Sequence, residues 1–412
     1  MDISTGKYKK LFLSTLVVGL LALLLAACGA NAAGAGQSAA GTQVATPHPT
    51  SGSGSTPTAA TKPDGPPATT PLLSIRMLDQ MNGWALTNTA VLKTADGGSH
   101  WRTLVSLPAL SKGSTAAGDF MDSTHAWVTF HAANTAQGTF TVLRTTDGGA
   151  SWQNVSIQDT TAESIYDGID RAHFITPLEG WVTAGQAEGM FHSSMTIFHT
   201  TDGGQHWSMI ANTAPQSTSG LPDSGNKTGI SFKDSQTGWV TADIPAVYSW
   251  LYKSSDGGKT WQEQKLPLPR EATNAEQIGE FTTTPPVFFG NDGLLPVLVY
   301  YQSQPSIDLY VTHDGGKTWA PTKLAPIDGR NVYIADMQHA WASDKTGFYA
   351  TSDGGEHWTK LGQPSSEIGE MSFVDTNIGW AIGPFLLDNK SPLLLHTIDG
   401  GKTWQPIIYY IQ

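Results

Sequence analysis

The chain has 412 residues, of which only 14% are charged, and its formal net charge is −12. Just 23 Lys and Arg in so acidic a chain exclude the clustered basic surface that binds nucleic acid through counterion release, and the same balance excludes adsorption to an anionic membrane surface. A single cysteine, Cys28, excludes an intramolecular disulfide.

In chain order, residues 1–27 read as a sorting signal, with Lys7, Lys9 and Lys10 ahead of an apolar stretch from Leu11 to Ala27. Leu25-Ala26-Ala27-Cys28 resembles the lipobox of bacterial lipoproteins, in which the Cys is lipidated and becomes the mature N-terminus. Two acyl chains on that residue supply what stable anchoring requires, so Cys28 is expected to hold the protein to the cell membrane on its extracytoplasmic side. Residues 28–71 are almost all Ala, Gly, Ser, Thr, Pro, Gln and Asn. They cannot bury enough apolar surface to offset chain entropy and read as a disordered tether, with a mean reach of about 35 Å.

From residue 72 onward two patterns alternate. One is Asp-Gly-Gly-x-x-Trp with Ser or Thr two residues ahead, seen at Asp96/Trp101, Asp147/Trp152, Asp202/Trp207, Asp256/Trp261, Asp314/Trp319, Asp353/Trp358 and Asp399/Trp404. The other places an apolar residue, usually an Asp two on, before Gly-Trp or Ala-Trp: Met77/Trp84, Phe120/Trp127, Phe174/Trp181, Phe232/Trp239, Ile334/Trp341 and Phe373/Trp380. The fifth copy keeps Phe288 and Gly293 but has Leu294 in the Trp slot, and Trp250 alone of fourteen tryptophans lies outside both slots. Strands predicted for the last repeat run over 371–374, 379–382, 392–397 and 402–408. Four short antiparallel strands per repeat of about 48 residues predict an all-β, seven-bladed β-propeller over 72–412. Because the first and last repeats each hold four strands, closing the ring requires no strand exchange.

In the Asp-Gly-Gly turn the carboxylate accepts nearby amides and the glycines take positive φ. The Trp that follows is expected to lie buried between its hairpin and the neighbouring sheet. This element is the Asp box, or BNR repeat, of sialidases, sortilin-type receptors, xyloglucan-cleaving hydrolases and photosystem II stability/assembly factors. Alternating as it does with Phe-x-Asp-x-x-x-Gly-Trp, the chain most resembles the last group. That resemblance implies a non-enzymatic, membrane-tethered scaffold that binds a protein partner. The chain departs from the photosynthetic members' arginine-rich patch, since its six arginines are dispersed. The seven box Asp residues are expected to close turns; neither catalysis nor calcium binding is expected of them, since one carboxylate falls far short of calcium's six to eight oxygens.

Connectivity puts the tight turns on one face and the second-to-third loops and inter-repeat connections on the other. The longer stretches there are 153–171, 185–194, 208–229, 262–285 and 383–391. Function is expected at that loop face and the channel mouth, with Asp159, Glu163, Tyr166, Asp167, Asp170, Arg171, Arg270 and Arg330 as candidates. Tyr166, Tyr248, Trp250 and the Tyr300-Tyr301 pair are further contact surface or sugar platforms, while Trp250 and Tyr252 equally fit strand alternation with burial between blades. No cofactor, metal or nucleic acid is expected; the partner is a protein or a glycan, and the chain a monomer. The alternative is a carbohydrate-active or glycan-binding propeller. Against it stand the missing Arg-Ile-Pro motif of sialidases, and a single propeller where xyloglucan hydrolases work in a cleft between two.

Overall fold

The computed structural model describes residues 66–160, 168–169, 172–189, 191–245, 248–329, 331–362, 368–383 and 393–412. Cys28, the sorting signal and nearly all of the tether lie outside them, as do Glu163, Tyr166, Asp167, Asp170, Arg171 and Arg330. Among the described residues the fold is all-β; the one helical element is a 3-10 turn at Ala275–Gln277. Antiparallel sheets in a propeller-type arrangement follow the repeats. The last repeat has strands Met371–Phe373, Gly379–Gly383, Leu393–Thr397 and Gln405–Ile407 in simple meander order.

The two sequence patterns become one repeated clasp. Thr94 Oγ1 donates to Asp96 Oδ1 at 3.0 Å and accepts the Gly98 amide at 3.0 Å, while the same Oδ1 accepts the His100 amide at 2.9 Å. The other boxes repeat this, as at Asp202 and Asp399. Gly97 and Gly98 sit at φ 73° and 93°, which side chains with a Cβ resist. The first box glycine then donates to its own repeat's first turn: Gly97 to Met81 O, Gly203 to Leu178 O, Gly400 to Asn377 O. Those first turns are Asx-closed, as by Asp79 and Asp375. In the third repeat, which lacks the Asp, Thr176 accepts the Leu178 and Glu179 amides instead.

Neighbouring repeats are joined by three aromatic slots. Trp127 stacks on Phe174 of the next repeat at 3.6 Å, and Phe174 meets Trp207 edge-on at 5.9 Å. The same order recurs as Trp181, Phe232 and Trp261, and as Trp341, Phe373 and Trp404. Each of these second-strand indoles also donates to the first glycine of the next box: Trp127 to Gly203 O, Trp181 to Gly257 O and Trp341 to Gly400 O, all within 2.9–3.0 Å. Trp380 makes that bond to Gly97 O at 2.9 Å, so the last repeat meets the first as internal neighbours meet one another. Their residues share one core cluster, in which Ile75, Met77 and Trp101 pack with Trp380, Ile382 and Leu394.

The box indoles are less uniformly buried than their repetition implied. Trp101, Trp261 and Trp319 are buried, but Trp152, Trp207, Trp358 and Trp404 are only half-buried. Trp152 meets Trp84 edge-on at 6.3 Å and packs at the margin of the core around Leu86 and Val128. Its Nε1 has no partner, whereas Trp101, Trp207 and Trp261 donate to the second glycine of their own boxes. The reason is position: a box Trp such as Trp152 stands just ahead of the outermost strand of its sheet, here Gln153–Gln158. Burial is complete where further chain covers that edge. Tyr410–Ile411 pairs along Trp101, Ser219 and Leu221 lie against Trp261, and Leu266 and Leu268 pack beside Trp319.

Three features of the strands differ from the expected layout. Tyr410–Ile411 adds a parallel strand outside His100–Ser106, beyond the four strands expected of the first repeat. Residues 66–70, assigned to the tether, lie against the chain end: the Ala68 amide donates to Tyr409 O, and the Tyr409 hydroxyl to Thr70 O at 2.7 Å. Several presumed loops are strand. Gly180–Gly189 pairs with His192–Thr200 through most of 185–194, and Ile278–Thr283 bridges the fourth and fifth repeats into an eight-stranded sheet. That bridging strand is held by Thr283, whose hydroxyl reaches Trp250 O at 2.7 Å, and by Thr282 on Asp243 at 2.9 Å.

Candidate functional site

The innermost strands line an open cavity of about 700 Å³, formed by Ser74–Arg76, 118–121, Phe174, Asn331–Tyr333 and 369–371. Five repeats contribute to it. Because first strands start at the end opposite the Asp-box turns, residues such as Ser74, Asn331 and Glu370 lie at the loop end of their sheets. Its polar groups are Asp119, Glu370, Arg76, Asn331, Tyr333 and Ser74.

Each group is held by another repeat. Asp119 Oδ2 accepts the Phe174 amide at 2.9 Å. Ser74 donates to Glu370 Oε1 at 3.1 Å, and further along the same strands the Met77 amide donates to Ser372 Oγ at 2.9 Å. The Tyr333 hydroxyl donates to Phe373 O at 2.9 Å and accepts Arg76 Nη1 at 3.4 Å. Asn331 Nδ2 donates to Ile368 O at 3.0 Å. Two carboxylates and an exposed guanidinium thus line one open cavity, fixed by strands whose register the indole slots set. A cavity of this size, with few converging polar groups, is the form small-molecule sites take.

Of the candidates read from sequence, the described ones do not converge here. Asp159, placed among solvated loop acids, is buried at 1% exposure, its amide donating to Gly138 O. Arg270, placed at the loop face, reaches the sixth Asp-box turn and pairs with Glu356 at 2.8 Å, both exposed. An ion pair in water contributes about 0–1 kcal/mol. The box carboxylates are each consumed by their own turn. Bonds from the Ser151 hydroxyl and amide hold Asp147 down to about 2, and His100, His206 and His357 bond the second carboxylate oxygen of their boxes at 2.6–2.7 Å. Among the described residues no three His, Cys, Asp or Glu come together as a metal site.

Sequence reasoning missed Asp119 and Glu370. Asp119 sits in strand Ala117–Phe120 as an ordinary alternating polar residue, and Glu370 stands just ahead of Met371–Phe373. Only the closed arrangement reveals that they share a cavity. It also missed Asp308, which is fully buried in strand Gln304–Thr312. Its Oδ1 accepts the Thr322 amide and hydroxyl at 2.8 and 2.9 Å, Oδ2 has no partner, and burial pushes the carboxyl up to about 6.

Comparison with known proteins adds the following. The family profile described as photosynthesis system II assembly factor YCF48 matches residues 211–371. A xyloglucanase from Paenibacillus sp is 26% identical over 271 residues, covering 60% of this chain and 24% of that protein, so the chain matches about a quarter of its length. Among solved structures, the Niastella koreensis GH74 enzyme aligns at 14% identity with a TM-score of 0.34, covering 80% of this chain and 61% of that one. A PL25 ulvan lyase aligns at 10% identity and 0.48, covering 80% and 93%. The xyloglucanase likeness corrects two expectations, that the protein is a non-enzymatic protein-binding scaffold and that it has no catalytic activity, and favours the carbohydrate-active alternative. The chain is an Asp-box repeat protein that resembles the photosystem II assembly factors over residues 211–371, as its motifs implied.

Proposed function

We propose that the protein is a seven-bladed, carbohydrate-active propeller that cleaves glycosidic bonds of a neutral polysaccharide in the central cavity. The observation that carries this is the 271-residue likeness to a xyloglucanase. It is supported by a cavity of about 700 Å³ that holds two carboxylates. The seven-blade reading rests on seven Asp boxes and on Trp380 meeting Gly97 as Trp127, Trp181 and Trp341 meet the box glycines of their neighbours.

Glycoside hydrolysis needs one carboxylic acid to protonate the leaving oxygen and one carboxylate to activate water or attack the anomeric carbon. Asp119 and Glu370 are the pair this cavity offers, with Arg76, Asn331 and Tyr333 placed to bond sugar hydroxyls. Asp119→Asn and Glu370→Gln are each expected to lower reducing-end release from xyloglucan by about 100-fold or more, with folding unchanged. Cleavage that survives both substitutions, or its absence in the parent protein, would falsify the assignment.

The anchoring of this propeller through Cys28 belongs to the same proposal. It would hold the catalytic head outside the cytoplasm, where polymeric glycans are met. Cys28→Ala should move the protein from the membrane to the soluble fraction, and continued membrane retention would show that another element anchors it.

A further inference from the structure

A second concave site lies apart from the central cavity's lining, in the fourth repeat. It has a volume of about 470 Å³ and is lined by Ser224, Ile244, Tyr248, Ser249, Trp250, Tyr252, Glu263, Lys265 and Leu266. Strand Gly238–Ile244 ends, and strand Leu251–Ser254 begins, at the end of the sheet opposite the Asp-box turn. The site is therefore on the loop end. It contains Trp250, the one tryptophan that no repeat slot requires.

The back wall is rigid. Trp250 is 3% exposed, its indole donating to Ser224 Oγ at 3.3 Å, with Tyr252 packed against it at 4.6 Å. Lys227 sits 4.9 Å over the indole and donates to the carbonyls of Ser193, Asp223 and Ser224, each at 2.9 Å. That single ammonium ties the Ser224 segment to the ring. Gly225, at φ 81°, lets the backbone pass directly against the indole. The front is open, since Tyr248 is 57% exposed, and Glu263 and Lys265 are exposed beside it.

An apolar ring flanked by one acid, one base and hydroxyls suits a ligand with an apolar C–H face and a rim of hydroxyls. One Glu and one Lys leave no net charge for the site to match. We infer that this pocket is a second glycan-binding site that takes a neutral pyranose unit against Tyr248, with Glu263 and Lys265 bonding its hydroxyls. The inference rests on the carbohydrate reading above. It assigns the pocket to holding the polymer, while the cavity cleaves it.

Calorimetric titration of the full chain carrying Glu370→Gln, with cellohexaose as the neutral probe and an oligogalacturonide as the charged one, tests it. Cellohexaose should bind, and Tyr248→Ala should weaken that binding about five- to tenfold, the value of one aromatic contact. Glu263→Gln should weaken it less. Tyr248 is largely exposed, so its removal should leave the melting temperature in place. Unchanged cellohexaose affinity in both variants, no binding in the parent, or tighter binding of the oligogalacturonide overturns the inference. Xyloglucan cleavage by the unsubstituted protein, measured separately, reports whether the cavity reading stands when the pocket reading falls.

Discussion

At the junction of the second and third repeats, Trp127 lies 3.6 Å from Phe174 and donates to Gly203 O. At the junction of the fifth and sixth, Leu294 occupies the indole slot, Ile334 the Phe slot and Ala340 the glycine slot. These three residues pack with Leu309, Met337 and Trp358. The substitutions belong together. A Leu leaves no flat face for a Phe to stack on, and without the Phe ring the glycine's missing Cβ is no longer needed. One junction is an aromatic wedge with a directional hydrogen bond; the other packs aliphatic side chains against the box Trp358, with no stacked pair. The fifth repeat is also where the bridging strand Ile278–Thr283 adds pairing that the regular repeats lack.

The sharpest break in this comparison is to remove one wedge. Trp181 is fully buried, stacks on Phe232 at 3.7 Å and donates to Gly257 O. Trp181→Ala should cost about 3–5 kcal/mol, the range for emptying a buried aromatic site. Leu294→Ala should fall toward the lower part of the 2–5 kcal/mol range for a buried leucine, because no hydrogen bond goes with it. Denaturant midpoints of the two variants decide the matter. Equal losses would mean that the wedge contributes nothing beyond its volume.

The fifth repeat differs in its response to pH as well. Burial raises Asp308 to about 6 from an ordinary carboxylate value near 3.8. In the folded state its charged form is disfavoured, so stability is greatest below the unfolded value and declines as pH rises through about 4 to 6. That shift corresponds to a loss of about 2–3 kcal/mol at neutral pH. The box carboxylates act in the opposite sense: Asp147 and Asp202, each held down to about 2, contribute above about 4 and lose that contribution as pH falls toward 2. Asp308→Asn should flatten the decline between pH 4 and 7 and leave the acid limb in place, as read by denaturant unfolding across pH. A decline that persists in Asp308→Asn assigns it to another group.

The wedge was legible in the sequence because it repeats. Thirteen tryptophans at fixed offsets fix strand register, turn type and the neighbour each indole meets. What does not repeat was hidden. The half-exposure of Trp152 against the burial of Trp101 follows from which edge strands other chain covers, and the box motif is the same at both. Asp119 and Glu370 are separated by 251 positions and carry no local pattern; only the closed arrangement of the repeats brings them to one cavity. Strand Ile278–Thr283 lacks the alternation and turn signals of the repeats, and its Thr hydroxyls find partners only on the fourth repeat. Arg270 lies in a connector whose path depends on Leu266 and Leu268 packing beside Trp319, far along the chain.

The smallest effect comes from the glycine ahead of the indole, and the molecule already contains the control. A Cβ on Gly180 would run into the Phe174 ring, and the same holds for Gly238 with Phe232 and Gly379 with Phe373. In the second repeat Ala126 stands in that slot. There Phe120 lies 5.6 Å from Trp84, against 3.6–3.9 Å at Trp127, Trp181 and Trp341, and Trp84 donates to Asp122 O and not to a box glycine. Gly180→Ala should therefore push Phe174 off Trp127 toward the spacing seen at Trp84, at a cost of about 1–2 kcal/mol for an overpacked methyl. A crystal structure of the variant checks the ring spacing and thermal unfolding checks the cost. A Phe174 ring still at 3.6 Å from Trp127 would mean that the wide stack at Trp84 has a cause other than the Ala126 methyl.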